Sequence, residues 1–430
     1  MTSPNLILVT GATGYIASRL IPQLLTRGYP IRALARQPQR LRNKIWFPQV
    51  EMTQGDVMEP STLAPAFVGV QTAYYLIHNM ASGHGYTERE LEGARNFARV
   101  AAYAGVQHII YLGGLADEEQ HIAPHMRSRI ETGATLRQGK VPVTEFRAGV
   151  IAGSGSISFE MIRFMTELFP IIPAPFWVKN KSQPISTQNV IDYLLAALDN
   201  HNGQGQVFEI GGPHVTSYQE LMLSYARTRG LNRRFLLLPY VPVWFMAIGI
   251  GMTTPVPRPI AYALVGGLSS DSIVMHDDAR RIYPEVNLID FESATKEALT
   301  RLHPHKIERV WDDRDGQTKI LRHEGFFIDH REIKVDTTPE KMFDAVKKIG
   351  GRFTIETIGD NQILARLKMI LPGEGWVEWK KGRASNYLAQ TVFFTPHGLG
   401  GFLFWYLLHP FFTIIFKGWL KNIARNSVVK

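Results

Sequence analysis

The hydrophobic positions of this chain change period repeatedly in its first half. Asn5 to Thr10 is a short, mostly apolar run, the pattern of a buried parallel strand. Ile16, Leu20, Leu24 and Leu25 then recur near the helical period, and Gly28 ends that helix as a C-terminal cap would. Ile31 to Ala35 reads as a second strand, and a short third strand precedes Gly55. The alternation continues with a strand over Thr72–Ile77, a helix over Thr87–Ala104 and a strand over His108–Leu112. A helix over Met126–Arg137 and a strand over Val143–Arg147 follow. Strands alternating with helices predict an α/β fold with a doubly wound parallel sheet.

From Ile151 the pattern loosens. Phe159–Phe169 reads as an apolar helix, and the stretch holding Pro170, Pro173, Pro175 and Trp177 as an irregular loop. Phe235–Pro257 carries no charge but is broken by prolines and glycines, so it reads as poorly helical cover for an apolar ligand or as core. A linker is expected over 301–318, rich in charge, His and Gly. Beyond it, Phe326–Val335 alternates like a strand, and Pro339–Ile349 reads as a helix. Strands at Phe353–Glu356, Gln362–Leu371, Gly375–Lys380 and Ser385–Phe394 precede a long apolar helix from Leu399. The expected organisation is a Rossmann domain over 1–300 with a small substrate subdomain, the linker, and an α+β domain over 319–430.

The turn between the first strand and helix reads Thr10-Gly11-Ala12-Thr13-Gly14-Tyr15-Ile16-Ala17. Gly11 permits a tight turn, Gly14 a close approach of the backbone to a pyrophosphate at the helix N-terminus, and Ala17 close packing on the strand. In a strand–turn–helix–strand setting this predicts dinucleotide binding. NAD sites place an acid after the second strand. Here that place holds Ala35-Arg36, and no Asp or Glu occurs from Met1 to Val50. An Arg there can pair with a 2′-phosphate, which predicts NADP(H) over NAD(H). Arg40, Arg42 and Lys44 are expected on a solvated loop. Asp56, in Gly55-Asp56-Val57, is read either as an acceptor for an adenine amino group or as a helix N-cap.

Composition narrows the partners. The 430 residues are 45% hydrophobic with no cysteine, which excludes disulfides, thiolate nucleophiles and cysteine-held metals. No His cluster has metal-ligand spacing. The net charge of +9 suits anionic partners, but nucleic-acid binding would rest on charge alone and is not expected. Residues 306–430 hold 20 Lys/Arg against 14 Asp/Glu. Lys417, Lys421 and Arg425 follow the terminal apolar stretch, so that helix reads either as cover for a sheet or as a peripheral membrane contact. The start of the chain carries no secretory pattern, and a cytoplasmic location, at most peripheral to the inner face of a membrane, is expected.

The motifs Thr10-Gly-Ala-Thr-Gly-Tyr-Ile, Gly55-Asp-Val, Tyr75-Leu-Ile-His, Tyr111-Leu-Gly-Gly and Arg147-Ala-Gly-Val-Ile-Ala-Gly resemble the NmrA-like and epimerase-like atypical short-chain dehydrogenase/reductases. The resemblance implies NAD(P) binding on a Rossmann fold. Carried over by position, it implies that Gly11, Thr13, Gly14, Tyr15, Ile16, Arg36, Asp56, Val57, Leu76, Ile77 and His78 line the cofactor. Active members carry a Ser after the fifth strand and a Tyr-x-x-x-Lys on the next helix. Here Gly113-Gly114 and His125-Met-Arg-Ser-Arg129 stand in those places. At i, i+4 spacing His125 and Arg129 face one side. They read as a substituted acid/base pair or as a site without turnover. The C-terminal order of helix, antiparallel sheet and long helix looks like a shortened START/Bet v 1-type helix-grip domain, and Ile349-Gly-Gly, Leu371-Pro-Gly, Gln390-Thr-Val-Phe-Phe and Phe404-Trp-Tyr resemble a domain of unknown function often found C-terminal to such reductase-like domains. Two functions follow as expectations: an NADP(H)-dependent oxidoreductase for an apolar carbonyl or lipid/quinone-like molecule, or a non-catalytic NADP(H) sensor or assembly factor.

Overall fold

A computed structural model describes residues 5–78, 85–117, 122–239, 241–268, 270–308, 318–335, 341, 344–346, 353–359, 361–382 and 386–428. Its first sheet is built from β1 (Leu6–Val9), β2 (Ile31–Ala35), β3 (Glu51–Gln54), β4 (Val70–Tyr75), β5 (His108–Gly114), β6 (Val143–Ala148) and the strand Val207–Ile210. The order across the sheet is Val207–Ile210, β6, β5, β4, β1, β2, β3. Every pairing is parallel. Side chains alternate between faces along a strand, and both faces of this sheet are buried. Ile7 and Val9 join one core with Leu20, Ile21 and Leu24 of α1 (Tyr15–Thr26) and with Val190 and Leu194 of the helix Thr187–Asp199. Leu8 points the other way. It meets Phe67 of α2 (Pro60–Phe67), Phe97 of α3 (Tyr86–Tyr103) and Leu136 of α4 (Pro124–Arg137). The doubly wound parallel sheet read from the periodicity is therefore present.

Two stretches differ from expectation. The proline-rich stretch after α5 (Ile157–Leu168) is a strand, Ile171–Pro175, paired in parallel with Arg234–Leu238. The ribbon has only two strands, so each lies at an edge, where a proline leaves no central ladder bond unmade. The segment read as poorly helical holds two helices, Val243–Thr253 and Arg258–Gly267. Burial of Ala247 and Ile250 offsets the low propensity. A Cβ at Gly251 would lie 2.6 Å from Arg258 Cγ, so the glycine is what lets the two helices meet.

The second sheet is antiparallel and has six strands, in the order Lys319–His323, Phe326–Lys334, Tyr387–Pro396, Gly373–Lys381, Gln362–Leu367, Phe353–Gly359. The terminal helix Gly398–Val428 lies on it, burying Phe416, Leu420 and Ile423 against Val377, Trp379 and Val392. Gln390 accepts from Trp379 Nε1 at 3.0 Å and donates to the Phe416 carbonyl at 3.0 Å, tying sheet to helix. Within the stretch expected as a linker, Leu302 and Ile307 pack with Phe326, Ile328 and Trp376. Residues 309–317 and most of the helix expected over 339–349 lie outside the described residues.

Glu167 of α5 joins the two sheets' territories. It accepts from Tyr225 Oη at 3.0 Å, from Arg229 Nε at 2.8 Å and from the Gly398 backbone N–H at 2.6 Å, at the start of the terminal helix. Phe164 of α5 packs with Phe327, Phe394, Phe402 and Trp405 beside it. Under the middle of the helix, Asp329 accepts from Arg331 Nε at 2.5 Å and Nη2 at 2.6 Å, and from His409 Nε2 at 2.9 Å. Burial pushes the Asp329 carboxyl up, but the His409 and Arg331 contacts outweigh it and hold the group below its ordinary value. A depressed native carboxylate stabilises the fold above the unfolded value of about 4, and that contribution is lost as pH falls through the lower native value. Asp329→Ala should destabilise the fold by about 3–5 kcal/mol at neutral pH, because it strands buried Arg331. Denaturant unfolding from pH 6 to pH 3 checks the sign: the gap between wild type and Asp329→Asn should shrink towards acid, and a gap that widens there would refute this account.

Candidate functional site

The sheet order reverses between β1 and β4, and in open α/β sheets the ligand crevice lies at such a reversal. Thr10 fixes the two strand ends together. Its hydroxyl donates to the Tyr74 carbonyl at 2.9 Å and accepts from the Leu76 N–H at 3.1 Å. Gly11 follows with φ 64°, and a Cβ there would lie 2.4 Å from the Leu76 carbonyl oxygen. Only glycine fits both constraints. Gly14 caps α1 with no side-chain hydrogen bond, and no acid occupies the first turn of that helix. The N-terminal N–H groups and the positive end of the helix dipole are thus presented to the crevice.

One cavity of about 600 Å³ runs from this turn into the space under the helix pair Val243–Thr253 and Arg258–Gly267. Its nucleotide-like end is lined by Gly11, Thr13, Gly14, Tyr15, Ile16, Arg36, Asp56, Val57, Leu76, Ile77 and His78, so every residue read from the sequence as cofactor-lining meets the same space. Asp56 is not a helix N-cap; that position is Glu59. Asp56 Oδ1 instead accepts from the Met58 N–H at 3.0 Å, because two residues still separate it from the helix.

The structure sorts the basic residues of the first 50. Arg19 donates to the Ser154 carbonyl at 2.8 Å, Arg27 pairs with Asp199 at 3.5 Å, and Arg32 pairs with Glu51 at 2.9 Å. Lys44 pairs with Glu308 and is not on a free solvated loop, since the segment after residue 302 returns over this region. Arg40 and Arg42 are exposed. Of these cations Arg36 alone lines the cavity among the described residues.

At the far end the lining changes to Met161, Met165, Trp177, Met222, Met246, Ile250 and Leu264. His125, Arg129 and His78 stand between the two ends. Arg129 donates to the Leu112 carbonyl at 2.7 Å, and its own carbonyl accepts from Tyr111 Oη at 2.9 Å. His125 packs against the second helix of the pair: a Cβ at Gly267 would lie 2.8 Å from its Cε1. A Cβ at Gly114, one of the two glycines that follow Leu112, would lie 2.9 Å from Met126 Cε. Burial, Arg129 and His78 together lower His125 to about 4. Its imidazole is therefore neutral at pH 7: one ring N–H can still donate a hydrogen bond, but no readily released imidazolium proton is present.

The sequence reading missed the network beneath this row. His78 Nδ1 lies 2.9 Å from Glu90 Oε1, and Ser128 Oγ donates to the other oxygen of Glu90. Glu90 and Ser128 are buried. The only sequence signal was a charged residue on the inward face of α3, which period alone does not distinguish from a surface position. Burial and Arg129 lower His78, against the hydrogen bond it makes to Glu90. Among the described residues no group of three His, Cys, Asp or Glu could hold a metal.

Residues 3–265 match the NmrA-like family. The chain is 28% identical over 237 residues to a (4-alkanoyl-5-oxo-2,5-dihydrofuran-3-yl)methyl phosphate reductase of Streptomyces griseus, a match spanning 54% of this chain and 76% of that one. It is 25% identical over 213 residues to the photosystem II assembly factor Ycf39 of Trieres chinensis, covering 48% and 63% of the two chains. Among solved structures, the Citrobacter sp. triphenylmethane reductase complexed with NADP(H) superposes with a TM-score of 0.55 at 20% identity, over 68% of this chain and 99% of that one. An NADPH-dependent quinone oxidoreductase of Escherichia coli gives 0.54 at 16% identity, over 68% and 99%. At such identities the superpositions show the fold alone. One expectation comes from the histidine geometry itself. In NMR titration the His125 ring signals should stay fixed from pH 8 to about 5 and move with a midpoint near 4; a midpoint above 6 would mean the imidazole carries a proton at working pH.

Proposed function

The chain belongs to the NmrA-like family, and on that premise we propose that it is an NADP(H)-dependent reductase of an apolar carbonyl or quinone-like molecule. The observation that carries the reading is one continuous cavity, with a glycine turn and an uncapped helix N-terminus among its lining residues together with methionine, tryptophan and isoleucine side chains. The close approach at Gly11 leaves room for a ligand phosphate against backbone N–H groups. Tyr15 and Ile16 would then flank the pyrophosphate, Val57 and Asp56 the adenine, and Leu76, Ile77 and His78 the inner ribose. Arg36, exposed just after β2 and among the cavity-lining residues, supports pairing with a 2′-phosphate. When bound, the cofactor supplies a hydride. The chain's own residues do the rest: the thioether and indole lining excludes water, and the neutral imidazole of His125 orients the acceptor oxygen. Arg129, already bound to the Leu112 carbonyl, holds that region in shape.

A second reading rests on the same residues. With Tyr and Lys replaced by His125 and Arg129, and with Gly113-Gly114 in place of Ser, the chain would bind cofactor without turnover, as a sensor or assembly factor. The six-stranded sheet wrapped by the terminal helix supports a helix-grip reading of the C-terminal part in either case.

Nicotinamide fluorescence titration of wild type and Arg36→Ala tests the cofactor. Loss of the phosphate contact should weaken NADPH tenfold or more, about 1.4 kcal/mol per decade, and leave NADH unchanged. Equal affinity of the wild type for both nucleotides would sink the NADP(H) assignment. Turnover is tested separately, by NADPH oxidation with a panel of apolar quinones. The oxidation should fall at least tenfold in His125→Ala while NADPH affinity stays within twofold, a contrast that separates orientation from binding. Tight NADPH binding with no oxidation on any acceptor would select the sensor reading.

A further inference from the structure

Two helices present exposed apolar faces to the outside of the protein. The first is the helix Val243–Thr253, where Trp244 and Phe245 are each 59% exposed and Met252 is 61% exposed. The second is the terminal helix, where Leu407 is 67%, Phe411 65% and Ile414 70% exposed. They are neighbours. Arg322 Nη1 donates to the Met252 carbonyl at 2.7 Å and lies 3.3 Å from Tyr406 Oη, so it bridges one element to the other. An apolar surface on this scale marks an interaction site.

The sequence stretches that carry these two faces hold charge of one sign. No Asp or Glu occurs between Glu220 and Asp271, a stretch that holds Arg233, Arg234 and Arg258 around the first helix. None follows Glu378, and the exposed end of the terminal helix carries Lys417, Lys421 and Arg425. A greasy surface framed by cations and devoid of acids complements an anionic lipid surface. Aromatic and aliphatic side chains enter the acyl boundary while the cations stay among the headgroups.

The terminal helix is also long and apolar enough to cross a membrane by length and composition. Its other face decides against a span. Phe402, Trp405, Phe416 and Leu420 are buried against the sheet. Extraction would also strip His409 from Asp329 and leave the Arg331–Asp329 pair uncovered. A helix held along one face lies in the plane of the interface.

We propose that this protein docks on an anionic lipid bilayer through the helix Val243–Thr253 and the outer face of Gly398–Val428. The inference deepens the reading of an apolar ligand and rests on it for one point only. Met246 and Ile250 of the first helix line the cavity, while Trp244 and Phe245 of the same helix face outward. One helical element therefore separates the cavity from the bilayer, and an apolar molecule dissolved in lipid has a short way in.

Sedimentation of the full chain with lipid vesicles tests docking without reference to catalysis. Vesicles of phosphatidylcholine mixed with phosphatidylglycerol should retain the protein at low salt, and phosphatidylcholine alone should retain it at least tenfold less. Retention should fall steeply at about 1 M salt, where the Debye length is about 3 Å. Phe411→Glu/Ile414→Glu and, independently, Trp244→Ser/Phe245→Ser should each weaken retention tenfold or more. Thermal midpoint and NADPH affinity should be unchanged in the Trp244/Phe245 pair. No retention by anionic vesicles at low salt overturns the proposal, as does retention that neither pair of substitutions affects. Retention that resists high salt and alkaline carbonate would mean that the helix spans. A concentration-dependent dimer, abolished by the same substitutions and without vesicle binding, would assign the surface to a second copy of the chain. If docking holds while NADPH is never bound, the reductase reading fails and the membrane reading stands.

Discussion

The approach of residue 11 to the Leu76 carbonyl is the constraint on which the first domain depends. With 2.4 Å available to a Cβ and φ at 64°, any side chain there would force the ends of β1 and β4 apart. Those ends are the two sides of the sheet's reversal point, and Thr10 pins them with bonds to Tyr74 and Leu76. Separation would open the crevice, tilt the start of α1 and misplace its N–H groups. Glycine is thus a packing requirement first, set by the protein's own Leu76 carbonyl.

Much of the first domain was legible because its chemistry is local. A buried parallel strand, a glycine turn and an amphipathic helix each leave a pattern within a dozen residues, and β1, α1 and β2 follow it. The residues read from the sequence as cofactor-lining, which share one cavity, likewise lie at strand ends, in the loops that follow them or at the start of α1, which the periodicity locates. What escaped is non-local. Glu90 reads as one more charge on a polar helix, and only the fold brings it between His78 and Ser128. Lys44 looks like part of a basic loop, and only the return of the chain near residue 308 gives it Glu308. The strand Ile171–Pro175 was hidden by its prolines, since its partner Arg234–Leu238 lies some sixty residues away. The helix Val243–Thr253 was hidden by glycines whose use, close contact with Arg258, is tertiary.

Glu167 shows how the C-terminal part is attached. A buried carboxylate is costly unless its lone pairs are filled, and here Tyr225, Arg229 and the Gly398 N–H fill them. Two of these partners belong to the helix Tyr218–Arg229 and the third begins the terminal helix. The edge-to-face cluster of Phe164, Phe327 and Phe402 beside it supplies apolar burial. The attachment therefore combines a directional polar clamp with non-directional packing. It fixes where the terminal helix starts, and so which of its faces meets the sheet and which remains outside.

The protonation state of His125 bears on which hydride acceptors suit this cavity. Reduction of a simple ketone leaves a strongly basic alkoxide, which demands an acid at the reacting oxygen in the transition state. The family's tyrosine, with a lysine beside it, meets that demand. Neutral His125 and permanently charged Arg129 meet it poorly, because the N–H of a neutral imidazole is a far weaker acid than an imidazolium and the guanidinium does not release its proton. A conjugated acceptor is different. Hydride addition to a quinone places the new negative charge across the ring and both oxygens, and the resulting anion is weakly basic enough to take its proton from water afterwards. A hydrogen bond from His125 suffices to orient such an oxygen. The replacement of Tyr and Lys therefore narrows the proposed chemistry towards electron-poor, conjugated acceptors, which are also the flat, apolar molecules that a methionine- and tryptophan-lined cavity accommodates.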